Sequence, residues 1–458
     1  MTDAVDLIII GAGMAGMNAA ALASDAGLRV AVIERQRVGG TCPLRGCIPS
    51  KTLIRSAEVA HLARRAGEFG VRTGEVSVDF AAVMDRVRGV IDRGAAGARG
   101  WLESLPGLEL IMGEGALVDE RTVRVGARTL TAPRILIATG ARPADVPIPG
   151  LDVTPHMVSD DIWNLTALPE RLAIVGAGPV ALEFGQAFGR LGSEVTMVEV
   201  APRLLPGAEP ELADALRAIL EQEGLIIHTA AQITRVEPDG AGVLLIGAAG
   251  DGTPLRVEAD ALLLATGRWA DVEALDLAAA GLDGGHRGVP ADERLRTAVE
   301  GVFAAGDVLG PDRGQFTHVA RRQGVHVAHE ILGHEPGPAR QDIGPAAIFT
   351  DPELVTIGLT EAAARDAGHD VRVGTDRFSG GRARALGEEH GSARVVVDAD
   401  SGLILGAHVL AHHAAELIHP VAVAMRAGTS ATDLITGADH IHPTMGEVVK
   451  AAVAKAAG

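Results

Sequence analysis

The sequence predicts an α/β protein built from two parallel βαβ domains and followed by a separate α+β domain. Strand-like and helix-like segments alternate through the first two thirds of the 458 residues, which is the pattern of parallel α/β domains. A glycine-rich turn between a strand and a helix occurs twice, and such turns do not recur after about residue 335. A chain of this length is expected to form about two to four domains.

The composition excludes several classes of protein. The net charge of −18 argues against a nucleic-acid partner, because neutralising phosphates requires clustered Lys and Arg. No uninterrupted apolar run is long enough to cross a bilayer. The N-terminus has no basic region, and its short apolar run leads into glycines, so it predicts a buried strand and not a signal peptide. We therefore expect a cytoplasmic protein without a membrane contact.

The first domain begins with a predicted strand at Asp6–Ile10, a helix at about Met14–Ala26 and a second strand at Arg29–Glu34. A second copy of this strand–turn–helix–strand unit starts at Arg171. Between the two copies, the Pro- and Gly-rich segment Val146–Gly150 predicts a crossing between domains. The chain therefore repeats one architecture in two successive units.

The first strand–helix turn has the spacing Gly11-x-Gly13-x-x-Gly16. In a nucleotide-binding turn, the first glycine permits the sharp bend, the second lets the backbone approach a pyrophosphate, and the third lets helix and strand pack closely. Glu34 ends the next strand about 20 residues further on, where a carboxylate accepts ribose hydroxyls. Strand, helix and acid agree, so this unit is predicted to bind a dinucleotide.

The second turn has the spacing Gly176-x-Gly178-x-x-Ala181, and Glu199 ends the following strand. A carboxylate at this place accepts a ribose 2′-hydroxyl and repels a 2′-phosphate, so the pattern favours NAD over NADP. Arg203 is a cation close to that acid. We interpret it as a solvated charge at the entry of the next helix.

The remaining elements are read from hydrophobic spacing. Apolar residues between Leu212 and Leu220 have helical spacing, with Gly224 at the expected C-cap. The segment from Gln232 to Leu264 has the pattern of strands joined by Gly-rich turns. The runs Ala393–Val397 and Leu403–Leu410 predict strands in the C-terminal α+β domain.

Cys42 and Cys47 are the only cysteines, and they directly follow the turn Gly39–Thr41. Such a pair can be half of a metal site, but the sequence contains no second pair to complete it, so no metal is expected. Two inert buried thiols are a further alternative. A redox-active dithiol is the favoured interpretation, because a thiol beside a helix N-terminus or a cation reacts as a thiolate.

The segment GGTCPLRGCIPSK, at residues 39–51, together with both glycine turns resembles the class I pyridine nucleotide-disulfide oxidoreductases, and within them most closely the dihydrolipoamide dehydrogenases. The resemblance covers essentially the whole chain. It implies an FAD domain split around an NAD domain, followed by a dimerisation domain, with segments 1–150, 151–267, 268–335 and 336–458. It also implies NAD-dependent oxidation of a protein-bound dihydrolipoyl group, carried by a lipoyl domain or another lipoate carrier.

The resemblance extends to further motifs that carry cofactor-binding residues. Ala138-Thr-Gly140 and Ala265-Thr-Gly267 match the segments that flank the NAD domain in the family, and a third motif ends in the acid Asp307. The segment that begins with Thr317 is similar to the one under the flavin in the lipoamide enzymes. The residues implied to contact FAD or NAD, beyond the two glycine turns and their acids, are Thr41, Lys51, Thr139, Gly140, Glu183, Gly267, Arg268, Asp307, His318 and Ala320.

The resemblance also assigns the reacting groups. It implies that Cys47 is the charge-transfer thiol beside the flavin and that Cys42 is the interchange thiol that attacks the substrate. Lys51 and Glu183 match the pair that flanks the flavin N5 region. As a cation, Lys51 would stabilise both a thiolate and a reduced flavin.

A base is predicted at His442, with Glu447 as its orienting acid. Disulfide exchange needs a group that takes the proton of the incoming thiol, and an acid on the far ring nitrogen fixes the imidazole tautomer. Pro443 is expected at the first position of a helix that carries Glu447, after a cis bond as in the family. The family's base reaches into the partner subunit's site, so a homodimer is expected. We interpret the remaining nearby histidines as structural or surface residues: His412, His413, His419 and His440.

Three positions depart from the family pattern, since Leu44 stands where Asn is usual, Arg45 where an apolar residue is usual, and Gly446 where Ser is common. Arg45 either favours the thiolate or points to solvent. The alternative functions are an NAD(P)H-dependent reductase of another disulfide, such as glutathione, and a redox-silent dimeric scaffold that binds nucleotides. Mercuric ion reduction is disfavoured, because those relatives carry an additional Cys pair near the C-terminus.

Overall fold

The computed structural model of the chain describes residues 2–340, 342, 344–437 and 439–458. Its helices, in chain order, are α1 Met14–Asp25, α2 Thr41–Leu44, α3 Cys47–Arg65, α4 Phe80–Glu103, α5 Pro179–Leu191, α6 Pro210–Gln222, α7 Thr317–Ile331, α8 Glu361–Asp366, α9 Gly381–Leu386, α10 Ala414–Leu417, α11 His419–Ala427, α12 Ala431–Gly437 and α13 Gly446–Ala457.

The strands are β1 Thr2–Ala4, β2 Leu7–Ile10, β3 Val30–Glu34, β4 Leu108–Met112, β5 Gly115–Asp119, β6 Thr122–Val125, β7 Arg128–Thr131, β8 Ile135–Ile137, β9 Ala141–Pro143, β10 Met157–Val158, β11 Arg171–Val175, β12 Glu194–Val198, β13 Ile226–His228, β14 Gln232–Asp239, β15 Gly242–Ala248, β16 Pro254–Ala259, β17 Ala261–Leu264, β18 Arg268–Ala270, β19 Val302–Ala304, β20 Ala346–Ile348, β21 Glu353–Gly358, β22 Val371–Arg377, β23 Ser392–Asp398 and β24 Ile404–Ala411.

The first domain is built on a parallel sheet with the strand order β19-β8-β2-β3-β4. Strands β2 and β3 are completely buried, as their continuous apolar runs predict for a sheet covered on both faces. Strand β19 follows the second unit in sequence but completes this first sheet. The first domain is therefore split around an inserted domain, as the family resemblance implies.

The inserted domain is built on a second parallel sheet, with the order β10-β17-β11-β12-β13, beside an antiparallel sheet of β14, β15 and β16. The chain enters and leaves this domain through two strands that pair with each other, β9 and β18. The predicted Pro- and Gly-rich crossing lies just after β9. The α/β fold class with two Rossmann-like units is confirmed.

The C-terminal domain is an antiparallel sheet of five strands, in the order β20-β21-β24-β23-β22, with helices packed against it. Both strands that hydrophobic runs predict here, β23 and β24, are present to within one residue of the expected ends. The α+β expectation for this domain is confirmed. Within the described residues, no helix is both long and apolar enough to span a membrane.

Candidate active site

The first glycine turn is packed as its spacing predicts. Gly11 has φ +108°, and a Cβ placed there would lie 2.3 Å from the carbonyl oxygen of Ala138. A Cβ at Gly16 would lie 2.0 Å from the carbonyl oxygen of Gly11, so helix α1 packs against the turn more closely than any side chain allows. Gly13 faces Gly40, where an added Cβ would come within 2.7 Å of the Gly13 Cα. The turn therefore exposes backbone and no side chains.

The second glycine turn repeats this packing. Gly176 has φ +106°, and its Cβ would lie 2.5 Å from the carbonyl oxygen of Ala265, which is the counterpart of Ala138. A Cβ at Gly178 would meet nothing within 4 Å, while Ala181 is fully buried in helix α5. A cavity of about 560 Å³ opens here, and among its lining residues are Gly176, Gly178, Glu199, Gly267 and Arg268.

The two predicted ribose acids, Glu34 and Glu199, have equivalent surroundings. Each carboxylate accepts two backbone N–H groups, one from the adjacent glycine turn and one from two residues beyond the acid. The donors, at 2.7–3.0 Å, are Ala12 and Gln36 for Glu34, and Ala177 and Ala201 for Glu199. These bonds hold each acid at the edge of its glycine turn.

Arg203 does not face the Glu199 carboxylate. Its guanidinium donates to the carbonyl oxygens of Pro206 and Ala208 in the loop that precedes helix α6. Arg203 thus lies at the entry of the next helix, as expected. Its guanidinium, however, is hydrogen-bonded to carbonyl groups of its own loop and is not simply solvated.

Polar groups near the first turn fit a bound dinucleotide. Thr139 Oγ1 is buried and has no hydrogen-bond partner among the described residues. Burial raises the pKa of Asp307, and the positive charge of Arg268 opposes this shift. Arg268 itself donates to Asp160 and to the carbonyl oxygen of Ala141, at 3.3 and 2.5 Å. A ligand at this site would supply the partner that Thr139 lacks.

The two cysteines lie on two consecutive helices, the short helix α2 and the long helix α3. Cys42 is in α2, which starts at Thr41, and Cys47 is the first residue of α3. The thiol of Cys42 donates to the sulfur of Cys47, which raises the pKa of Cys42 and lowers that of Cys47 to about 6. The Thr317 hydroxyl and the charge of Lys51 lower the pKa of Cys47 further, while desolvation opposes them. Near neutral pH, Cys47 is therefore a thiolate and Cys42 a thiol.

Thr317 is a site residue that the sequence prediction missed. Its Oγ1 lies 3.4 Å from Cys47 Sγ, although 270 positions separate the two residues. Thr317 is the first residue of helix α7, so two helix N-termini meet at the Cys47 sulfur and both favour negative charge there. The available signal was a hydroxyl residue at a helix start within the segment already assigned to the flavin.

The other two residues predicted in this segment lie in different surroundings. His318 is exposed and stacks on Phe316 with ring centroids 5.6 Å apart. Ala320 is buried where helix α7 packs against α1. This contact is close, because a Cβ at Gly324 would lie 2.1 Å from the carbonyl oxygen of Ala15.

Lys51 and Glu183 form the ion pair that was predicted. Lys51 Nζ lies 2.7 Å from Glu183 Oε2, and the carboxylate is almost completely buried. The second oxygen, Oε1, accepts the backbone N–H of Phe349 at 3.0 Å. Lys51 Nζ also lies 4.3 Å from the centroid of the Phe349 ring. Phe349 is a second residue that the sequence prediction did not single out.

Leu44 and Arg45, the residues between the cysteines that depart from the family pattern, both contact other parts of the chain. Leu44 is buried. Arg45 donates to Gln36 Oε1 at 3.0 Å and pairs with Asp160 at 3.5 Å, and its carbonyl oxygen accepts the Trp163 indole N–H. The Arg45 side chain is thus bound to Gln36 and Asp160 and remains 29% exposed.

His442 and Glu447 are in contact, as predicted. His442 Nδ1 lies 2.9 Å from Glu447 Oε1, and Oε2 accepts the N–H of Thr444 at 2.8 Å. The Thr444 N–H and the imidazole together lower the pKa of Glu447. The expected cis bond before Pro443 is present. The expected helix start is wrong, because α13 begins only at Gly446, and the carboxylate of Glu447 binds the preceding turn instead.

Comparison with known proteins decides the family. The family model described as pyridine nucleotide-disulphide oxidoreductase matches residues 5–324, and its dimerisation-domain model matches residues 344–453. The chain belongs to this family. It is 36% identical to the dihydrolipoyl dehydrogenase of Haloferax volcanii, over 99% of this chain and 96% of the relative. It is also 35% identical to a mercuric reductase of Staphylococcus aureus, over 98% of this chain and 81% of the relative.

Solved structures agree with this assignment. The HOCl-induced flavoprotein disulfide reductase RclA of Escherichia coli superimposes with a TM-score of 0.88 and 30% identity, over 98% of this chain and 99% of that chain. Its Cu(II) complex superimposes with a TM-score of 0.89 and 30% identity. The protein is therefore an enzyme of the pyridine nucleotide-disulphide oxidoreductase family, with the family's use of FAD and NAD(P) and with its dimerisation domain.

Proposed function

We propose that this oxidoreductase is an NAD-dependent dihydrolipoyl dehydrogenase, which oxidises a protein-bound dihydrolipoyl group and works as a homodimer. The observation that carries the proposal is the division of protons between the two cysteines. Cys42 retains its proton and Cys47 does not, so the two sulfurs are suited to different tasks. Relatives named dihydrolipoyl dehydrogenase that cover almost the whole chain support this choice.

The proposed exchange starts from the Cys42–Cys47 disulfide. A substrate thiol gives its proton to His442 and attacks Cys42 Sγ, and the broken disulfide leaves Cys47 as a thiolate. The second substrate thiol attacks the mixed disulfide, which closes the substrate disulfide and returns Cys42 as a thiol. One proton then rests on His442, the other on Cys42, and the electron pair of the broken disulfide bond on Cys47. Re-formation of the Cys42–Cys47 bond releases the Cys42 proton and two electrons. FAD, when bound, supplies the two-electron carrier between this sulfur and the nicotinamide.

The base is proposed to come from the partner subunit. His442 lies in the C-terminal domain, its side chain is 78% exposed, and the cysteines lie on helices of the first domain. Glu447 holds Nδ1, so Nε2 is the ring nitrogen that can take a proton. A two-fold dimer would let each C-terminal domain complete the other subunit's site.

The choice of NAD rests on the surroundings of the second glycine turn. Glu199 lines the cavity there with its carboxylate held by Ala177 and Ala201. The negative charge of Glu199 would repel the 2′-phosphate of NADP. Arg203, the nearest candidate for a phosphate partner in the sequence, is bound to loop carbonyl groups instead.

Replacing Glu199 by alanine is expected to narrow the preference for NAD over NADP by at least about tenfold in kcat/KM, because the repulsion of the 2′-phosphate is removed. Arg203→Ala is the matched control and should leave the ratio of kcat/KM for NAD to kcat/KM for NADP unchanged. The measurement is the steady-state rate with each nucleotide. A wild-type enzyme that uses NADPH better than NADH would refute the NAD proposal, and loss of that preference in Arg203→Ala would identify Arg203 as the phosphate-binding residue.

The substrate proposal is tested by steady-state rates with the purified holoenzyme. We expect the highest kcat/KM for dihydrolipoamide with NAD, well above that for reduced glutathione with either nucleotide. NADH-dependent reduction of oxidised glutathione, Hg(II) and Cu(II) is measured in parallel, because mercuric reductases and RclA are also similar to this chain. A higher kcat/KM for any of these three would overturn the dihydrolipoyl assignment but not the role of the cysteine pair.

A further inference from the structure

One face of helix α5 is bound to a segment of the C-terminal domain. Glu183, Gln186 and Arg190 follow each other at helical spacings of three and four residues, so they lie on one face. All three are polar and at most 7% exposed. Buried polar groups of this kind require partners, and each of the three has a partner in the segment 349–351, between strands β20 and β21, in addition to Lys51 for Glu183 and Glu223 for Gln186 and Arg190.

Gln186 binds both the backbone N–H and the backbone carbonyl oxygen of Asp351. The amide oxygen of Gln186 accepts the Asp351 N–H, and its Nε2 donates to the Asp351 carbonyl oxygen, each at 2.7 Å. Nε2 also contacts the Glu223 carboxylate at 3.2 Å. Arg190 adds a bond to Asp351 Oδ2 at 2.9 Å. The side chain of Gln186 thereby holds the segment in register with the helix.

The other end of the same segment contacts both members of the Lys51–Glu183 pair. The Phe349 N–H binds Glu183 Oε1, and the Phe349 ring lies against Lys51 Nζ. Phe349 therefore helps to orient the Glu183 carboxylate through its N–H and to position the Lys51 ammonium group through its ring. Phe349 lies two residues before Asp351, whose backbone Gln186 binds and whose carboxylate Arg190 and His412 bind.

We propose that Gln186 and Phe349 are positioning residues that fix the Lys51 ammonium on the helix that begins with Cys47, four residues after that cysteine. The amide of Gln186 sets the register of the segment, and the ring and N–H of Phe349 orient Lys51 and Glu183. The charge that stabilises the Cys47 thiolate is thus held from the inserted and C-terminal domains, although Lys51 and Cys47 share one helix. The proposal rests on the proposed dithiol oxidation through Cys47, and its test also has a readout without any substrate.

The contribution of Lys51 is measured on the Cys47 thiolate. In the Cys42→Ser holoenzyme, Cys47 is the only cysteine, and the long-wavelength absorbance of its thiolate beside oxidised FAD is titrated with pH. The charged groups that act on this sulfur are Lys51 and Asp307. Gln186→Met and Phe349→Leu are each expected to raise the titration midpoint by about half a pH unit or more, because a displaced ammonium stabilises the anion less.

Two variants control for general loosening of the structure. Phe349→Tyr keeps the ring and the N–H and should retain the parent midpoint. Glu209→Gln is the matched control for the domain contact, since Glu209 is 3% exposed and also joins the inserted domain to the C-terminal domain, through the Glu361 N–H at 2.7 Å and Arg394 at 3.4 Å. It does not contact Lys51 or Phe349, so its midpoint should also equal that of the parent.

With Cys42 restored and FAD bound, Gln186→Met and Phe349→Leu should lower kcat for dithiol oxidation about tenfold with KM for NAD unchanged. Unchanged midpoints in both variants, or an equal shift in Glu209→Gln, would overturn the positioning proposal. A shifted midpoint together with no dihydrolipoamide turnover in the wild-type enzyme would retain it and refute only the proposed substrate.

Discussion

Cys42→Ser is expected to abolish dithiol turnover and to leave Cys47 as a permanent thiolate beside oxidised FAD. Cys42 is the sulfur that exchanges with the substrate in the proposed scheme, so its loss removes the only entry for electrons from a dithiol. Cys47 keeps the Thr317 hydroxyl and the Lys51 charge, which lower its pKa. The purified holoenzyme should therefore show long-wavelength absorbance without any reductant.

The absorbance of Cys42→Ser should depend on pH with a definite sign. The thiolate is present above the pKa of Cys47, which is about 6 with Cys42 in place, and it is protonated as the pH falls through that value. A serine hydroxyl at position 42 can still donate to the sulfur, so the midpoint should stay well below that of a free thiol, about 8.5. A spectrophotometric titration of the oxidised variant measures this midpoint.

Cys47→Ser is the counterpart of that experiment. It should also stop turnover, but without long-wavelength absorbance, because the sulfur that the proposed scheme places beside the flavin is absent. Burial still raises the pKa of the remaining Cys42 thiol. Direct reduction of bound FAD by NADH should persist in both variants and serves as the control for folding and nucleotide binding. Long-wavelength absorbance in Cys47→Ser and its absence in Cys42→Ser would reverse the assignment of the two sulfurs.

His442→Ala is expected to slow dithiol oxidation by about 10²–10⁴, which is the usual contribution of a positioned general base. FAD binding and reduction by NADH should be retained, since neither uses the imidazole in the proposed scheme. Glu447→Ala should be milder, because Glu447 orients the ring through Nδ1 and does not itself transfer the proton. Pre-steady-state rates with dihydrolipoamide and with NADH separate the two half-reactions.

A mixed dimer tests whether His442 serves the partner subunit. A dimer of one Cys42→Ser subunit and one His442→Ala subunit contains one site with intact cysteines and an intact base from the partner, so it should regain about half of the wild-type turnover. Differently tagged subunits, expressed together and purified in two affinity steps, provide this dimer. Turnover no higher than in the two parent variants would place the base within its own subunit, and near-normal turnover of His442→Ala alone would remove it from the mechanism.

Much of the site is visible in the sequence, because it depends on short-range constraints. Gly11 and Gly176 adopt positive φ values and contact a neighbouring carbonyl at distances that exclude a side chain, so only glycine fits and the spacing is diagnostic. The two cysteines, Lys51 and the His442–Glu447 pair are likewise close in sequence to the motif that identifies them. Local spacing was therefore sufficient to predict the two glycine turns with their acids and a favoured redox role for the cysteine pair, while the roles of His442 and Glu447 were implied by the family resemblance.

Other features were decided only by the tertiary structure. The contact of Cys47 with Thr317 spans 270 positions, and that of Glu183 with Phe349 spans 166. The structure also assigned the Arg45 charge to Gln36 and Asp160 and the Arg203 charge to loop carbonyl groups. Spacing along the chain cannot predict such contacts, because they arise where separate domains pack and where each charged group meets the polar partners that folding brings within reach.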